Sequence, residues 1–227
     1  ELSIAIMDIL NSNFGSRPYV IINNLDRKKI DANRDSIEGV QKNIYAKQAW
    51  EEYHYYIEYS KNKIIQDFNY GLFLDIHGHG INPDGFYDLR SWLGYLLTGD
   101  ELDKPDYELN TISYQKKSSI NTLVSISSED FVQVLRGVNS FGSMLDSLGY
   151  KSVPSINDLG PEGMKYFSGG YNTNFYGSSE NGGQISSIQI EAPYPGIRDN
   201  YSNWNKFGEA LSVVLQRYFK IHYDIDL

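Results

Sequence analysis

The sequence predicts an α/β domain whose mostly parallel mixed sheet is flanked by helices. Residues 18–22 form an apolar run that predicts a buried strand, and residues 38–64 carry apolar side chains at the three-to-four spacing of a long helix. Residues 71–76 form a second apolar strand that ends at His77. This order of strand, helix and strand is typical of parallel sheets.

The other elements follow the same hydrophobic patterns. Apolar residues at positions 2, 4, 6, 7 and 10 predict an amphipathic helix entered part-way, so we expect a further segment ahead of Glu1. The pattern predicts loops and a hairpin over 81–118, a helix over 128–148 that Gly149 closes, an irregular region over 169–183, a strand over 185–191 and a closing helix over 204–219.

Length and charge restrict the classes of partner. The 227 residues, of which 41% are hydrophobic, match one large domain, and we predict a single domain over 1–227. The net charge of −9 argues against a nucleic-acid backbone or an anionic membrane as the main partner. Because no run approaches the roughly 20 apolar residues that span a bilayer, no membrane helix is predicted. A small-molecule or peptide substrate remains as the expected partner.

Metal chemistry in this chain would depend on imidazole and carboxylate groups. The sequence contains no cysteine and four histidines, namely His54, His77, His79 and His222. His77 follows a predicted strand, at the end of an α/β sheet where ligand sites lie, and is a candidate metal ligand. If the strand continued, the side chain of His79 would lie on the same side as that of His77 and could be a second ligand. The glycines around His79 instead favour a turn, in which His79 would contact the substrate. The alternative for His77 is a histidine that only completes local hydrogen bonds.

Four further residues are candidates for a role in the cleavage of an amide bond. Glu191 ends a predicted strand and, beside a metal, could take a proton from water and deliver it to a leaving amine. Arg34 could bind a substrate carboxylate through two hydrogen bonds, with Asn33 as an added donor. Arg27 could stabilise an oxyanion. The alternatives are a solvated glutamate and a surface turn whose arginines form ion pairs.

These segments occur in an order that resembles the later half of the zinc carboxypeptidase pattern. Asp-Ala-Asn-Arg at 31–34, Leu-Phe-Leu-Asp-Ile-His at 72–77 and Ile-Gln-Ile-Glu at 188–191 match it. Within that superfamily the chain is most similar to the N-formylglutamate amidohydrolase family, in the longer blocks at 25–34 and 75–80 and in the shorter ones at 93–95, 169–173 and 189–191. The likeness runs over nearly the whole chain.

The resemblance implies a fold and a role for each candidate residue. It implies a three-layer, zinc carboxypeptidase-like fold in which His77 is the last zinc ligand and Glu191 is the catalytic base. Asn33 and Arg34 would hold the substrate carboxylate. Tyr171 becomes a candidate substrate-contacting hydroxyl, and Arg136 a weaker candidate contact for an anion.

One part of the family pattern is missing from this sequence. The zinc site of the family also uses an earlier His-x-x-Glu pair, and no such pair precedes the Asn-Arg block here. Because a catalytic zinc normally takes about three protein ligands, His77 alone cannot hold it. We therefore expect a cleaved or omitted N-terminal segment, or a second chain, to supply the other ligands. The alternative is that the metal and the activity have been lost.

Two functions are consistent with the sequence. The first is zinc-dependent hydrolysis of an amide bond in a small carboxylate-bearing substrate, such as an N-formyl or N-acyl amino acid or a peptide terminus. The alternative is a catalytically inactive relative that serves as a binding or structural module outside the cell. The sequence Asn-Tyr-Ser at 200–202 is an N-glycosylation signal, but it leaves the compartment open between extracellular and cytoplasmic.

Overall fold

The chain folds around a four-stranded mixed sheet flanked by helices. A computed structural model describes residues 1–15, 17–80, 87–180 and 182–227. Strands β1 (Gly71–His79), β2 (Ser91–Gly94), β3 (Ser152–Val153) and β4 (Ile185–Pro193) lie in the order β1-β4-β2-β3. Strand β4 runs parallel to β1 and antiparallel to β2, and β2 runs parallel to β3. The predicted α/β class with a mixed sheet is confirmed.

Helices of very different lengths surround the sheet. In the described ranges they are α1 (Leu2–Phe14), α2 (Ser36–Gly39), α3 (Ile44–Phe68), α4 (Gly99–Leu102), α5 (Asp106–Leu109), α6 (Ile112–Lys117), α7 (Asn121–Ile126), α8 (Phe131–Arg136), α9 (Phe141–Ser147), α10 (Tyr171–Tyr176) and α11 (Tyr201–Tyr223). Across the same ranges, no helix is both long and apolar enough to cross a membrane.

One face of the sheet is apolar and builds the core. Alternate residues of β4, namely Ile188, Ile190 and Ala192, are fully buried and share a cluster with side chains of α1 and α11. Strand side chains alternate between the two faces of a sheet, so the intervening residues of β4 must point the other way. The burial of this apolar face fixes which residues of β1 and β4 occupy the opposite face.

The opposite face is polar and lies beneath α3 and α10. Strand β1 contacts both helices, and β4 contacts α10. On β1, Phe73 packs edge-on against Tyr176 of α10. Beyond Phe73 the same face presents carboxylate, imidazole and carboxamide groups rather than apolar side chains. This polar region lies near the carboxyl ends of β1 and β4, where ligand sites occur in α/β proteins.

Several elements differ from the sequence prediction. Residues 18–22 do not form a strand, because a strand needs a hydrogen-bonded neighbour and no described strand pairs with them. The predicted helix over 128–148 is two short helices, α8 and α9, because Asp130 and Ser140 each cap a separate helix N-terminus. Strand β1 continues through His79 instead of turning after His77.

The predicted excursion over 81–118 contains more regular structure than expected. Residues 81–86 lie outside the described ranges. From residue 91 onward the chain forms β2 and then α4, α5 and α6, and β2 pairs with β3 and β4 rather than within a local hairpin. The single domain over 1–227 stays a prediction.

Candidate active site

A cleft of about 470 Å³ opens near the carboxyl ends of β1 and β4. This volume lies within the range of about 300–1,000 Å³ that is usual for small-molecule sites. The cleft is lined by Arg27, Asn33, Arg34, Asp35, Glu38, His77, Gly78, Phe167, Gly169, Gly170, Tyr171, Gln189 and Glu191. Six of the eight residues predicted for the site, all except His79 and Arg136, are among them.

His77 and Glu191 lie side by side on adjacent parallel strands. In the register of β1 and β4, His77 pairs with Glu191 and Asp75 pairs with Gln189. Each strand contributes residues two apart, so all four side chains rise from the same face of the sheet. His77 and Glu191 are 114 positions apart in the sequence (191 − 77), and the parallel pairing of β1 with β4 brings them together.

Asp75 orients the imidazole of His77. The Nε2 atom of His77 lies 3.0 Å from Oδ1 of Asp75, whose side chain is buried. Burial opposes protonation of His77, but the hydrogen bond to Asp75 and the negative charges of Asp75 and Glu191 outweigh it and raise the pKa of the imidazole. His77 therefore carries a proton at higher pH than a free histidine does.

Asn33 connects the loop before α2 to the centre of the site. Its side-chain Nδ2 lies 3.4 Å from Nε2 of His77, and its Oδ1 accepts a hydrogen bond of 2.9 Å from the backbone N–H of Asn172. Both ends of the carboxamide thus have protein neighbours. Asn33 lines the cleft, and its predicted role in binding a substrate carboxylate would use Nδ2 as the donor.

Glu191 is buried, and its carboxylate has one specific donor. Oε1 of Glu191 accepts a hydrogen bond of 2.8 Å from Nε2 of Gln189. The side chain is 7% exposed, although the carboxylate faces a cleft that water can enter. A carboxylate in such a position can exchange a proton with a bound water molecule.

Arg27 and Arg34 lie at the entrance of the cleft. Their side chains are 73% and 53% exposed, and both guanidinium groups contact Oδ2 of Asp31. Arg34 also donates a hydrogen bond of 2.8 Å to Glu38. Because the two guanidinium groups remain largely open to solvent, they can still bind an anionic ligand that enters the cleft.

Tyr171 is the first residue of α10 and lines the cleft. Its ring stacks on Phe175, with 5.4 Å between centroids, and meets His54 edge-on at 5.6 Å. His54 itself is buried, as expected for a packing role. Tyr171 is thereby fixed where a ligand in the cleft would meet it.

His79 does not reach the cleft. It shares the face of His77 because β1 continues through it, but its ring stacks on Trp92 with 3.9 Å between centroids. Its Nε2 lies 2.9 Å from the carbonyl oxygen of Arg90, and burial lowers its pKa. The imidazole packs against Trp92 of β2 and is not among the residues that line the described cleft.

Arg136 also lies away from the cleft. It is 2% exposed, and its guanidinium donates to the carboxylate of Asp106 and to the backbone carbonyl oxygens of Leu102, Lys104 and Leu159. These contacts join α8 to the turns around α4 and α5. Its surroundings are those of a structural arginine that satisfies buried carbonyl groups.

Gln189 and Asp75 belong to the site, although neither was among the site residues predicted from the sequence. The signal was present in the strand alternation, because a residue two positions before Glu191 or His77 must share its face. The sequence also gave no role to Phe167, Gly169 and Gly170, which come from the irregular region before α10 and line the cleft.

The described residues do not complete a metal site on their own. Within those ranges, no group of three or more histidine, aspartate and glutamate side chains is placed so that it could hold a metal ion. His77 is the one imidazole that lines the described cleft, and its Nε2 is engaged with Asp75. If zinc binds here, the described residues supply only part of the roughly three protein ligands that a catalytic zinc takes.

Comparisons with protein-family models, with curated proteins and with solved structures found no match to this chain.

Proposed function

We propose that the chain provides the substrate-binding and proton-transfer part of a hydrolase that cleaves an amide bond in a small carboxylate-bearing substrate. The observation that carries this proposal is the pairing of His77 with Glu191 at the base of a cleft whose entrance holds two arginines. The resemblance to the N-formylglutamate amidohydrolases supports it, and we also propose the three-layer, zinc carboxypeptidase-like fold that this resemblance implies. N-formyl and N-acyl amino acids and peptide termini are the proposed substrates.

The substrate carboxylate is proposed to bind at the entrance of the cleft. Arg34 offers a planar guanidinium that already binds Glu38 and Asp31, both of which present carboxylates to it. A substrate carboxylate would take the place of Glu38. Arg27 contacts the same oxygen of Asp31 and lines the same cleft, where its charge also acts on His77. The Arg34 side chain would bind the carboxylate end of the substrate and so place its amide bond near His77 and Glu191.

Glu191 is proposed to move the proton in the reaction. It accepts a proton from a water molecule as the water oxygen forms a bond to the amide carbon. The carbonyl oxygen becomes an oxyanion, which Arg27 stabilises. Glu191 then donates the proton to the amine nitrogen as the carbon–nitrogen bond breaks. The products are a carboxylic acid and an amine, so one water molecule is consumed for each amide bond.

Zinc is proposed through the resemblance alone, and no step above is assigned to it. If His77 is a zinc ligand, its partners come from outside the described residues, in a further segment or a second chain. A zinc ion there would polarise the carbonyl group and acidify the attacking water. In this proposal His77 contributes one imidazole at the base of the cleft, and Asp75 holds that imidazole in place.

A non-catalytic module that binds carboxylate ligands is the second candidate. One observation favours it: Nε2 of His77 already has two neighbours, Asp75 and Asn33, and the described residues hold no group of three or more histidine, aspartate and glutamate side chains placed to bind a metal. In that case the arginines and Tyr171 would bind a ligand without turnover.

Turnover and metal content of the full-length natural protein separate the two candidates. We expect hydrolysis of N-acyl amino acids, loss of hydrolysis when the substrate carboxylate is replaced by its methyl ester, and stoichiometric zinc. His77→Ala should remove both zinc and turnover, whereas His222→Gln, in the packing between α11 and the α8–α9 connection, should keep both. Zinc and turnover that survive His77→Ala would overturn the assignment. Ligand binding without zinc or turnover would support the binding module.

A further inference from the structure

Gln189 joins the carboxylate of Glu191 to the wall of the cleft. Its Nε2 donates to Oε1 of Glu191 at 2.8 Å, and its Oε1 accepts from the backbone N–H of Gly170 at 2.7 Å. Oε1 also accepts from the hydroxyl of Thr173 at 3.3 Å. We infer that Gln189 is a positioning residue, which holds Glu191 in the orientation that proton transfer needs.

The orientation of this carboxamide is determined by its neighbours. The backbone N–H of Gly170 can act only as a donor, so the oxygen of Gln189 must face it. The amide nitrogen is then directed at Glu191, whose ionised carboxylate is an acceptor. The reversed orientation would place the amide hydrogens against a backbone N–H and the amide oxygen against a carboxylate. Both contacts would be repulsive, so a single orientation is favoured.

Gln189 is held on both sides by rigid structure. It is 3% exposed, and its neighbours Ile188 and Ile190 are fully buried in the core. On the other side, Gly170 lies directly against the side chain of Asn33, where a Cβ atom would collide with the carboxamide. The position of Glu191 is thereby tied to the loop that lines the cleft before α10.

The inference rests on the proposed function and concerns the rate of the chemical step. Gln189 does not donate to the substrate carboxylate site at Arg34, so its loss should leave ground-state binding almost unchanged. Loss of the donor leaves the buried carboxylate without its hydrogen bond and free to adopt other rotamers. Hydrogen bonds to charged groups contribute about 1.5–3 kcal/mol, which corresponds to a factor of roughly 10–100 in rate.

Two substitutions of Gln189 test the role by kinetics. Gln189→Met keeps the length of the side chain without donor or acceptor, and Gln189→Asn keeps the carboxamide but is one methylene too short to reach both Gly170 and Glu191. We expect either change to lower kcat by about 10- to 100-fold and to leave KM within about threefold of wild type. Gln189→Asn also remains informative if Gln189→Met does not fold.

Thr173→Val is the matched control, because it is equally buried and removes only the weaker donor to Gln189. We expect its kcat to stay within about threefold of wild type. The inference is overturned if kcat of both Gln189 variants stays at the wild-type level, or if their defect appears in KM alone.

Crystal structures of wild type and Gln189→Met give a result that does not depend on turnover. We expect one rotamer of Glu191 in wild type and a displaced or divided side chain in the variant. An unchanged Glu191 in the variant would overturn the positioning role, even if the enzyme is active. Absence of wild-type turnover would instead overturn the hydrolase proposal, and the two crystal structures would still decide the role of Gln189.

Discussion

His77 and Glu191 are register partners on β1 and β4, and both side chains line the same cleft. Parallel pairing places them at the same height along the sheet, whereas the apolar face below fixes the direction of each side chain. The charge of Glu191 is one of the contributions that raise the pKa of His77.

Arg34 should determine the affinity for the substrate carboxylate. We expect Arg34→Ala to raise KM by roughly 10- to 100-fold, because it removes the charge-assisted hydrogen bonds proposed to hold the substrate carboxylate. The value of kcat should change little, since Arg34 does not touch the reacting amide in this arrangement. Steady-state kinetics measure both constants. Arg217→Ala, on the exposed side of α11, is the control. An unchanged KM in Arg34→Ala would remove Arg34 from the substrate site.

Glu38 should compete with the substrate for Arg34. The two side chains form an exposed ion pair at 2.8 Å, and a substrate carboxylate must displace Glu38 to reach the guanidinium. Since exposed ion pairs contribute about 0–1 kcal/mol, we expect Glu38→Gln to lower KM by up to about fivefold. Glu51→Gln, which removes the exposed ion pair with Lys47, should leave KM unchanged. A higher KM in Glu38→Gln would indicate that Glu38 helps to bind the substrate.

Arg136 should contribute to stability and not to binding. Arg136→Met leaves three backbone carbonyl oxygens and Asp106 without their donor, so we expect the free energy of unfolding to fall by roughly 2–4 kcal/mol. Denaturant titration measures this change, and Arg217→Met is the exposed control. A stable Arg136→Met protein with a raised KM would support the role in anion binding that the resemblance suggested.

His54 should make the folded state sensitive to acid. Burial lowers its pKa from 6.5 to about 4, against the opposing charge of Asp75. Between these two values the unfolded chain binds more protons than the folded chain does, so stability is complete above pH 6.5 and falls as the pH drops towards 4. The free energy of unfolding should therefore depend on pH, and we expect His54→Gln to reduce the slope of that dependence by up to about 1.4 kcal/mol per pH unit.

Tyr176→Phe is the control for His54, because it removes the hydrogen bond between Tyr176 and His54 but keeps a buried imidazole. The pH dependence should therefore persist in Tyr176→Phe. Denaturant unfolding between pH 4 and 7 measures both variants. An equal slope in wild type and His54→Gln would show that other groups cause the acid sensitivity.

Local patterns in the sequence were sufficient to locate the strands that build the site. The apolar runs before His77 and Glu191 predicted β1 and β4, because a buried strand needs apolar residues wherever the sheet faces the core. Residues 18–22 have a similar composition and yet form no strand. Pairing depends on a neighbour elsewhere in the fold, which a local pattern does not contain.

The partners of individual side chains were harder to predict than the elements. Arg136 and His79 lie in motifs that suggested ligand contacts, but Asp106 and Trp92 engage them instead. These partners depend on how α4, α5 and β2 fold back on the sheet, in a region that the sequence predicted as loops and a hairpin. Gln189 was detectable in principle, since it shares the strand face of Glu191, but its bond to Gly170 follows from tertiary packing.

The central claim is that Glu191 moves the proton, and the kinetics of Glu191→Gln in the full-length natural protein test it most directly. The substitution keeps the size of the side chain and removes its basic oxygen. We predict that kcat for an N-acyl amino acid falls by about 10²- to 10⁴-fold, while KM stays within a few fold of wild type. Glu209→Gln, on the exposed side of α11, should retain full activity. A Glu191→Gln protein that hydrolyses the substrate at the wild-type rate would contradict the account.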